Sequence, residues 1–382
     1  MPSSQTAAAA GRRSLAGFTL RVLLFILTPL AVAVFLAAQI GDIDPAPFPR
    51  GLDSPESLVA EEEHPAVLGG ASERLGDGLL PGPEDLVYDE KEGFLYTGCR
   101  DGWIRRFRPT AAPLDVVVED WFHVGGRPLG VARSPDGTIV VAEAYQGMLR
   151  LNKDGSVSLL ADEAEGVKFK LTDGVDISSD GLIYFTDASH KYHLDAYPLD
   201  ILEGRPNGRL VSFDSSNNQT TVLARDLYFP NGVSLSPDQW SLIFCETPLR
   251  RCRRYHIQGE KKGQIENFVD NLPGYPDNIH YDGDGHYSIA ISGRRSKFWD
   301  LVMKHPLLRK YLIVIVKLVG LPPLSRAGVL SVSLEGRPKA LYSDRDLSHI
   351  SSGLKVGRHL YMGSLTEGHV LRLDLSKFPL DA

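Results

Sequence analysis

Short β-rich runs, each punctuated by turn residues, fill this chain from Glu84 onward. One group of four reads Glu84–Asp89, Phe94–Arg100, Trp103–Arg108 and Asp115–Trp121; the next reads Leu129–Ser134, Thr138–Glu143, Gly147–Leu151 and Ser156–Ala161. Between runs lie Asp136-Gly137, Asp154-Gly155, Asp180-Gly181 and Asp284-Gly285, pairs that tolerate the positive φ angles of tight hairpins. Four strands repeated at a period of roughly 45 residues predict a β-propeller rather than an open sandwich array.

The count of units comes from a phrase that recurs six times: Pro83-Glu84-Asp85-Leu86-Val87, Pro128-Leu129-Gly130-Val131, Thr172-Asp173-Gly174-Val175, Pro230-Asn231-Gly232-Val233, Pro276-Asp277-Asn278-Ile279 and Ser351-Ser352-Gly353-Leu354. Six phrases predict an all-β, six-bladed propeller. The sixth unit supplies three strands before Asp374, so its fourth is expected from Ser72–Leu80, which would close the ring and remove an open edge. Two insertions interrupt the period, at 188–207 and 293–326. The second combines Phe298, Trp299 and the apolar run Tyr311–Val319 with Lys304, Arg309, Lys310 and Lys317, which suits either a lid over the propeller mouth or a membrane-surface helix.

In register, the leading residues of the phrases are Glu84, Leu129, Asp173, Asn231, Asp277 and Ser352. The first strand of each blade lines the axial channel, so Glu84, Asp173, Asn231 and Asp277 are expected to converge there, with Asn278 beside them. A set of oxygen donors without Cys or His favours Ca²⁺ over Zn²⁺ or Cu. Taken singly, each of these residues could instead cap a strand and bond turn backbone. A cation held this way polarises carbonyl or phosphoryl oxygens, which points to hydrolysis of esters, lactones or phosphoesters. Asp277 could then serve as base or nucleophile as well as ligand.

Upstream, the uncharged apolar run Val22–Ile40 follows Arg12, Arg13 and Arg21 and precedes Asp42 and Asp44. At about 28 Å as a helix, it predicts a transmembrane signal anchor with residues 1–21 cytosolic and everything after Ile40 luminal or extracellular. A cleaved signal peptide is the rival, and both lead to the secretory pathway, whether endoplasmic reticulum, vacuole or cell surface. Segment 41–80 is expected to be a luminal stalk carrying the ring-closing strand, with the propeller over 81–382. Asn218-Gln219-Thr220 becomes a usable glycosylation sequon in that compartment, at an expected hairpin tip. Cys245 and Cys252 flank a turn and could pair, with buried free thiols the other reading and Cys99 left over. The chain has 382 residues, 43% of them hydrophobic, enough for one large domain; its net charge of −7 and lack of a basic stripe argue against nucleic-acid binding.

Several motifs together carry a resemblance: Gly82-Pro83-Glu84, Gly126-Arg127-Pro128-Leu129-Gly130, Asp162-Glu163-Ala164-Glu165-Gly166, Asp187-Ala188-Ser189-His190-Lys191-Tyr192-His193, Phe229-Pro230-Asn231-Gly232-Val233 and Pro273-Gly274-Tyr275-Pro276-Asp277-Asn278-Ile279. From Gly82 to Leu375 the sequence resembles the strictosidine synthase-like and adipocyte plasma membrane-associated protein family, six-bladed relatives of paraoxonases and gluconolactonases. The resemblance implies calcium ligands at Glu84, Asp173, Asn231, Asp277 and Asn278, and it raises interest in His190 and His193 as catalytic residues near the mouth. Two positions depart from the relatives. Leu129 stands where paraoxonase-like lactonases carry His, and Leu347–Ser352 lacks the carboxylate that strictosidine synthase uses, leaving His349 as a base. The expected function is a Ca²⁺-dependent hydrolase of a small lipophilic substrate. A strictosidine synthase-type lyase and a non-catalytic, Ca²⁺-stabilised scaffold are the alternatives.

Overall fold

The computed structural model describes residues 27–28, 31–32, 35, 41, 43–49, 57–320 and 324–378. Residues 1–21 and most of Val22–Ile40 lie outside that set, and among the described residues no helix is long and apolar enough to cross a membrane.

Six antiparallel sheets form the ring, and their innermost strands are Leu86–Asp89, Pro128–Arg133, Thr172–Ile177, Pro230–Leu235, Gly274–Tyr281 and Ile350–Val356. The protein is therefore a six-bladed β-propeller. Both faces of each blade are buried, because one apolar cluster fills each gap between neighbours. Val131, Val141 and Leu149 of the second blade meet Tyr96 and Ile104 of the first, while Val175, Phe185 and Val211 of the third meet Val140 and Met148 of the second. The last gap is closed in the same way, with Tyr361 and Val370 of the sixth blade against Leu86, Leu95 and Phe107 of the first. This explains why many strands read as unbroken apolar runs rather than as alternations.

The sixth blade takes its outer strand from the N-terminal side: Glu73–Leu75 pairs antiparallel with Val370–Asp374. Arg372 fixes the join by donating to Glu73 Oε2 at 2.7 Å. A second early strand, Glu62–Pro65, lies parallel to Pro338–Ser343 and covers the outer edge of the fifth blade. Between these two strands runs the short helix α1 (Val67–Ala71). The segment expected as a stalk thus lies against the ring over 57–80.

At the axis, each phrase does the same geometric work. In blades two to five the innermost strand slips register against its neighbour across the leading residue and the one that follows: between Pro128 and Val131, Thr172 and Val175, Pro230 and Val233, and Pro276 and Ile279. Such a bulge releases the leading side chain from strict alternation and turns it toward the channel. The glycine that follows in blades two to four is required by close approach of the next blade. A Cβ at Gly130 would lie 2.3 Å from the Asp173 carbonyl oxygen, one at Gly174 would lie 2.7 Å from that of Asn231, and one at Gly232 would lie 2.5 Å from Asn278 Cα. Hydroxyls tie successive blades at this level. Thr186 donates to the Asn231 carbonyl at 2.6 Å, Thr247 to that of Pro276 at 2.8 Å, and Ser351 to that of Glu84 at 2.7 Å.

Both insertions leave from the connection between the second and third strands of their blades, so they share one face of the ring. The first contains α2 (Tyr197–Glu203) and the second α3 (Lys297–Lys304) and α4 (Pro306–Val319). Ser296 caps α3 by accepting from the Trp299 amide, and Pro306 opens α4 where no amide donor is needed. Leu202, Val302, Ile313 and Val316 form a small core between the helices, joined by Ile43.

Gly232→Ala is expected to lower stability by about 1–3 kcal/mol through overpacking against Asn278, read as a shifted urea midpoint. An unchanged midpoint would contradict the close approach described at the axis.

Candidate metal centre

The bulges bring Glu84, Asp173, Asn231 and Asp277 to one cavity of about 590 Å³ at the end of the channel where the strands begin. All four are at least nine-tenths buried. Asn278 is buried beside them and donates through Nδ2 to Glu84 Oε1 at 2.8 Å. Asn231 bonds to Asp277, and Ser292 donates to Asp277 Oδ2 at 3.2 Å. Leu129, the member of the ring without a polar group, also lines the cavity and belongs to a cluster with Ala144, Leu171, Ala188 and Phe229.

Three carboxyls in one buried space perturb one another. Burial pushes Glu84 well above the ordinary carboxylate range, and the negative charges of Asp277, Asp85 and Asp173 push it further. Asp173 is raised by burial and then by Asp277 and Asp85. Asp277 is pushed up to about 7, chiefly by burial, even though Ser292 and Asn231 hydrogen-bond to it. Arg127, whose Nη1 donates to the Gly82 carbonyl at 2.8 Å, offsets part of this in all three cases.

The chemistry of this donor set fits a hard cation. Every candidate atom is oxygen, and Glu84 Oε2 and Asn231 Oδ1 are buried without a hydrogen-bond partner. Among the described residues, no three His, Cys, Asp or Glu side chains stand close enough to hold an ion unaided, so the amides of Asn231 and Asn278 would have to share the ligation.

The remaining expectations fall differently. Ser352, sixth in the register, turns below the cavity, where its hydroxyl donates to Asp85 Oδ1 at 2.8 Å; His280 Nε2 lies 2.7 Å from the same oxygen. His190 and His193 do not line the cavity. His193 is exposed, with Nδ1 3.1 Å from the Lys170 carbonyl, and the His190 amide donates to the Asn207 carbonyl at 2.9 Å. Their loop leads from the third blade to α2, and Leu194, the residue after His193, lines the cavity where the two histidines do not. His349 does line the cavity. Its backbone has φ 57°, its Nδ1 is buried without a partner, and burial lowers its pKa so that it is neutral at neutral pH. Its position just ahead of the sixth phrase was the available signal. Phe298 and Trp299 of α3, named in the insertion expected as either a lid or a membrane-surface helix, line the cavity, and the walls no sequence signal indicated are Tyr197 and Ile201 of α2. Elsewhere, Cys245 and Cys252 face each other across adjacent strands and form a disulfide, while Cys99 is buried and free. Asn218 is exposed in the turn before Gln219–Leu227.

Fold and site define a six-bladed propeller with an oxygen-lined axial cavity under a helical roof. The chain belongs to the strictosidine synthase-like family. Residues 173–260 match the strictosidine synthase family and residues 70–107 the strictosidine synthase-like N-terminal family. Strictosidine synthase-like protein 6 of Arabidopsis thaliana is 50% identical over 358 residues, covering 93% of this chain and 95% of the relative. The adipocyte plasma membrane-associated protein of Danio rerio is 31% identical over 379 residues, covering 94% and 90%. Among solved structures, a gluconolactonase from Xanthomonas campestris shares the fold with a TM-score of 0.57 at 16% identity, over 82% of this chain and 91% of that one. A calcium-binding regucalcin from Agrobacterium tumefaciens does so with a TM-score of 0.56 at 14% identity, over 82% and 95%.

The carboxyl shifts set a pH dependence for metal-free protein. Because the folded pKa values are raised, their contribution to stability is complete below about pH 4 and is lost as pH rises through the folded values, near 7 for Asp277. In chelator, the melting temperature is therefore expected to fall between about pH 5 and pH 8, and added Ca²⁺ to restore it most at the higher pH. A melting temperature insensitive to Ca²⁺ at both would remove the cation from the cavity.

Proposed function

We propose that the protein is a Ca²⁺-dependent hydrolase acting on a small lipophilic ester or lactone. The observation that carries this reading is the meeting of Glu84, Asp173, Asn231 and Asp277 in a cavity otherwise walled largely by Leu, Tyr, Phe and Trp. A pocket of this size and lining suits a small, mostly apolar molecule whose polar group lies at the axial end. Glu84, Asp173, Asn231, Asp277 and Asn278 would hold the ion. When bound, it would polarise the substrate carbonyl and ease deprotonation of water. His349, neutral and with an unpartnered Nδ1, is placed to take a proton, and Asp277 shares the same wall. Tyr197, Phe298 and Trp299 exclude water around the apolar part of the substrate. The gluconolactonase and regucalcin folds support the choice of class without identifying the substrate.

We also place the propeller on the luminal or extracellular side of a membrane, held by Val22–Ile40. Support comes from the Cys245–Cys252 disulfide, which suits an oxidising compartment, from exposed Asn218 in its sequon, and from an animal relative whose name places it at the plasma membrane. Alkaline carbonate is expected to leave the full chain in the membrane pellet; release into the supernatant would exclude the anchor.

Turnover of phenyl acetate and a panel of lactones is expected to vanish in chelator, return with Ca²⁺, and fall to background in Asp277→Asn. His349→Gln is expected to lower kcat about a hundredfold with little change in Ca²⁺ affinity. Activity indifferent to both chelation and Asp277→Asn would overturn the hydrolase reading. Condensation of tryptamine with secologanin by the same preparation would instead establish the lyase.

A further inference from the structure

The helical roof carries an apolar surface with no covering among the described residues. Phe298 and Leu301 of α3 and Leu307, Tyr311, Ile315 and Leu318 of α4 are each more than half exposed. On α4 these residues recur at intervals of four, four and three, which is one stripe of a helix, while Arg309, Ile313 and Val316 fill the opposite side. The other exposed apolar side chains of the ring, such as Val59, Leu114 and Trp240, are scattered, whereas this stripe is continuous with the cavity wall through Phe298.

What covers the stripe follows from where the chain arrives. Ile43 is buried against Leu202, Val302, Ile313 and Val316, in the core that underlies α4. The flanking residues are clasped there as well. The Asp44 amide donates to Glu203 Oε1 at 3.1 Å, the Ala46 amide to the Glu203 carbonyl at 2.8 Å, and Arg309 stacks on the Phe48 ring at 4.7 Å while donating to the Ala46 carbonyl. The apolar run ends at Ile40, and three residues of chain reach at most about 11 Å. Wherever that run enters a bilayer, the helical roof is held beside the entry point.

Charge agrees. Apart from buried Arg309, α3 and α4 carry Lys297, Lys304, Lys310 and Lys317 with one acidic residue, Asp300, in a chain whose net charge is −7. Topology agrees too, since Asn218 lies in a third-to-fourth strand turn and therefore on the opposite face of the ring, where a glycan would not meet lipid.

We propose that the exposed stripe of α3 and α4 docks into the headgroup–acyl boundary of an anionic bilayer, so that the cavity opens onto the lipid surface. The inference rests on Val22–Ile40 being the anchor, which carbonate extraction reports separately, and not on hydrolase activity. Lipophilic substrate would then enter from the membrane, concentrated there by partition, instead of from water.

The test uses the full chain in phosphatidylcholine–phosphatidylserine vesicles, with single NBD labels at Ile315→Cys, Leu318→Cys and, on the far face, Asp154→Cys. Expected are blue-shifted emission and quenching by doxyl-labelled lipid at 315 and 318 with neither at 154, and a weakening of both on replacing phosphatidylserine with phosphatidylcholine. Labels at 315 and 318 open to aqueous iodide as fully as the one at 154 would overturn the proposal. So would shielding that appears in detergent and rises with protein concentration, which would assign the stripe to a second copy of the chain.

Discussion

Everything at the axis depends on how closely six innermost strands can approach one another. Backbone meets backbone there, and a single Cβ at Gly130, Gly174 or Gly232 would collide with the following blade. The slipped register and the glycine are two halves of one device: the bulge turns the leading side chain into the channel, and the missing side chain lets the next blade deliver its own. Hydroxyls of Thr186, Thr247 and Ser351 then fix the spacing by donating to carbonyls of the next blade at this level.

That close approach creates an electrostatic difficulty, and the site's chemistry follows from it. Glu84, Asp173 and Asp277 are withdrawn from water into a space where burial raises the proton affinity of all three, Asp277 adds to that of Glu84 and Asp173, and Asp173 to that of Glu84. Arg127 offsets the repulsion only in part. A group of buried acids with two unsatisfied oxygen acceptors is poorly suited to being a structural core, and well suited to a small cation. The apolar roof would serve the same end, since excluding water would strengthen the field that the axial oxygens, and a cation held by them, exert on whatever the cavity binds.

The number of blades was legible because the recurring phrase reports a local necessity, repeated once per blade. The positions of Glu84, Asp173, Asn231 and Asp277 followed from the same register, because strand order alone brings equivalent positions to one axis. Ser352 shows where the rule weakens. Its blade slips register between Ile350 and Ser352, one residue away from the others, and the hydroxyl falls to the level of Asp85. His190 and His193 lie on a loop leaving a strand end, where the register of the blade no longer directs side chains, and they are not among the residues that line the cavity. The apolar 293–326 insertion carried a lid among its readings, whereas Tyr197 gave no such signal, because it meets the axis only through long-range packing of the first insertion. The clasp on residues 43–48 escaped notice for the same reason: Glu203 and Arg309 lie far along the chain.

The join between Glu73–Leu75 and Val370–Asp374 unites residues separated by 299 positions. Until those two meet, the sixth sheet presents a naked edge and the first interblade core lacks one wall, so five finished blades still form an open and adhesive arc. The circle is closed only by an encounter between strands that lie far apart in sequence.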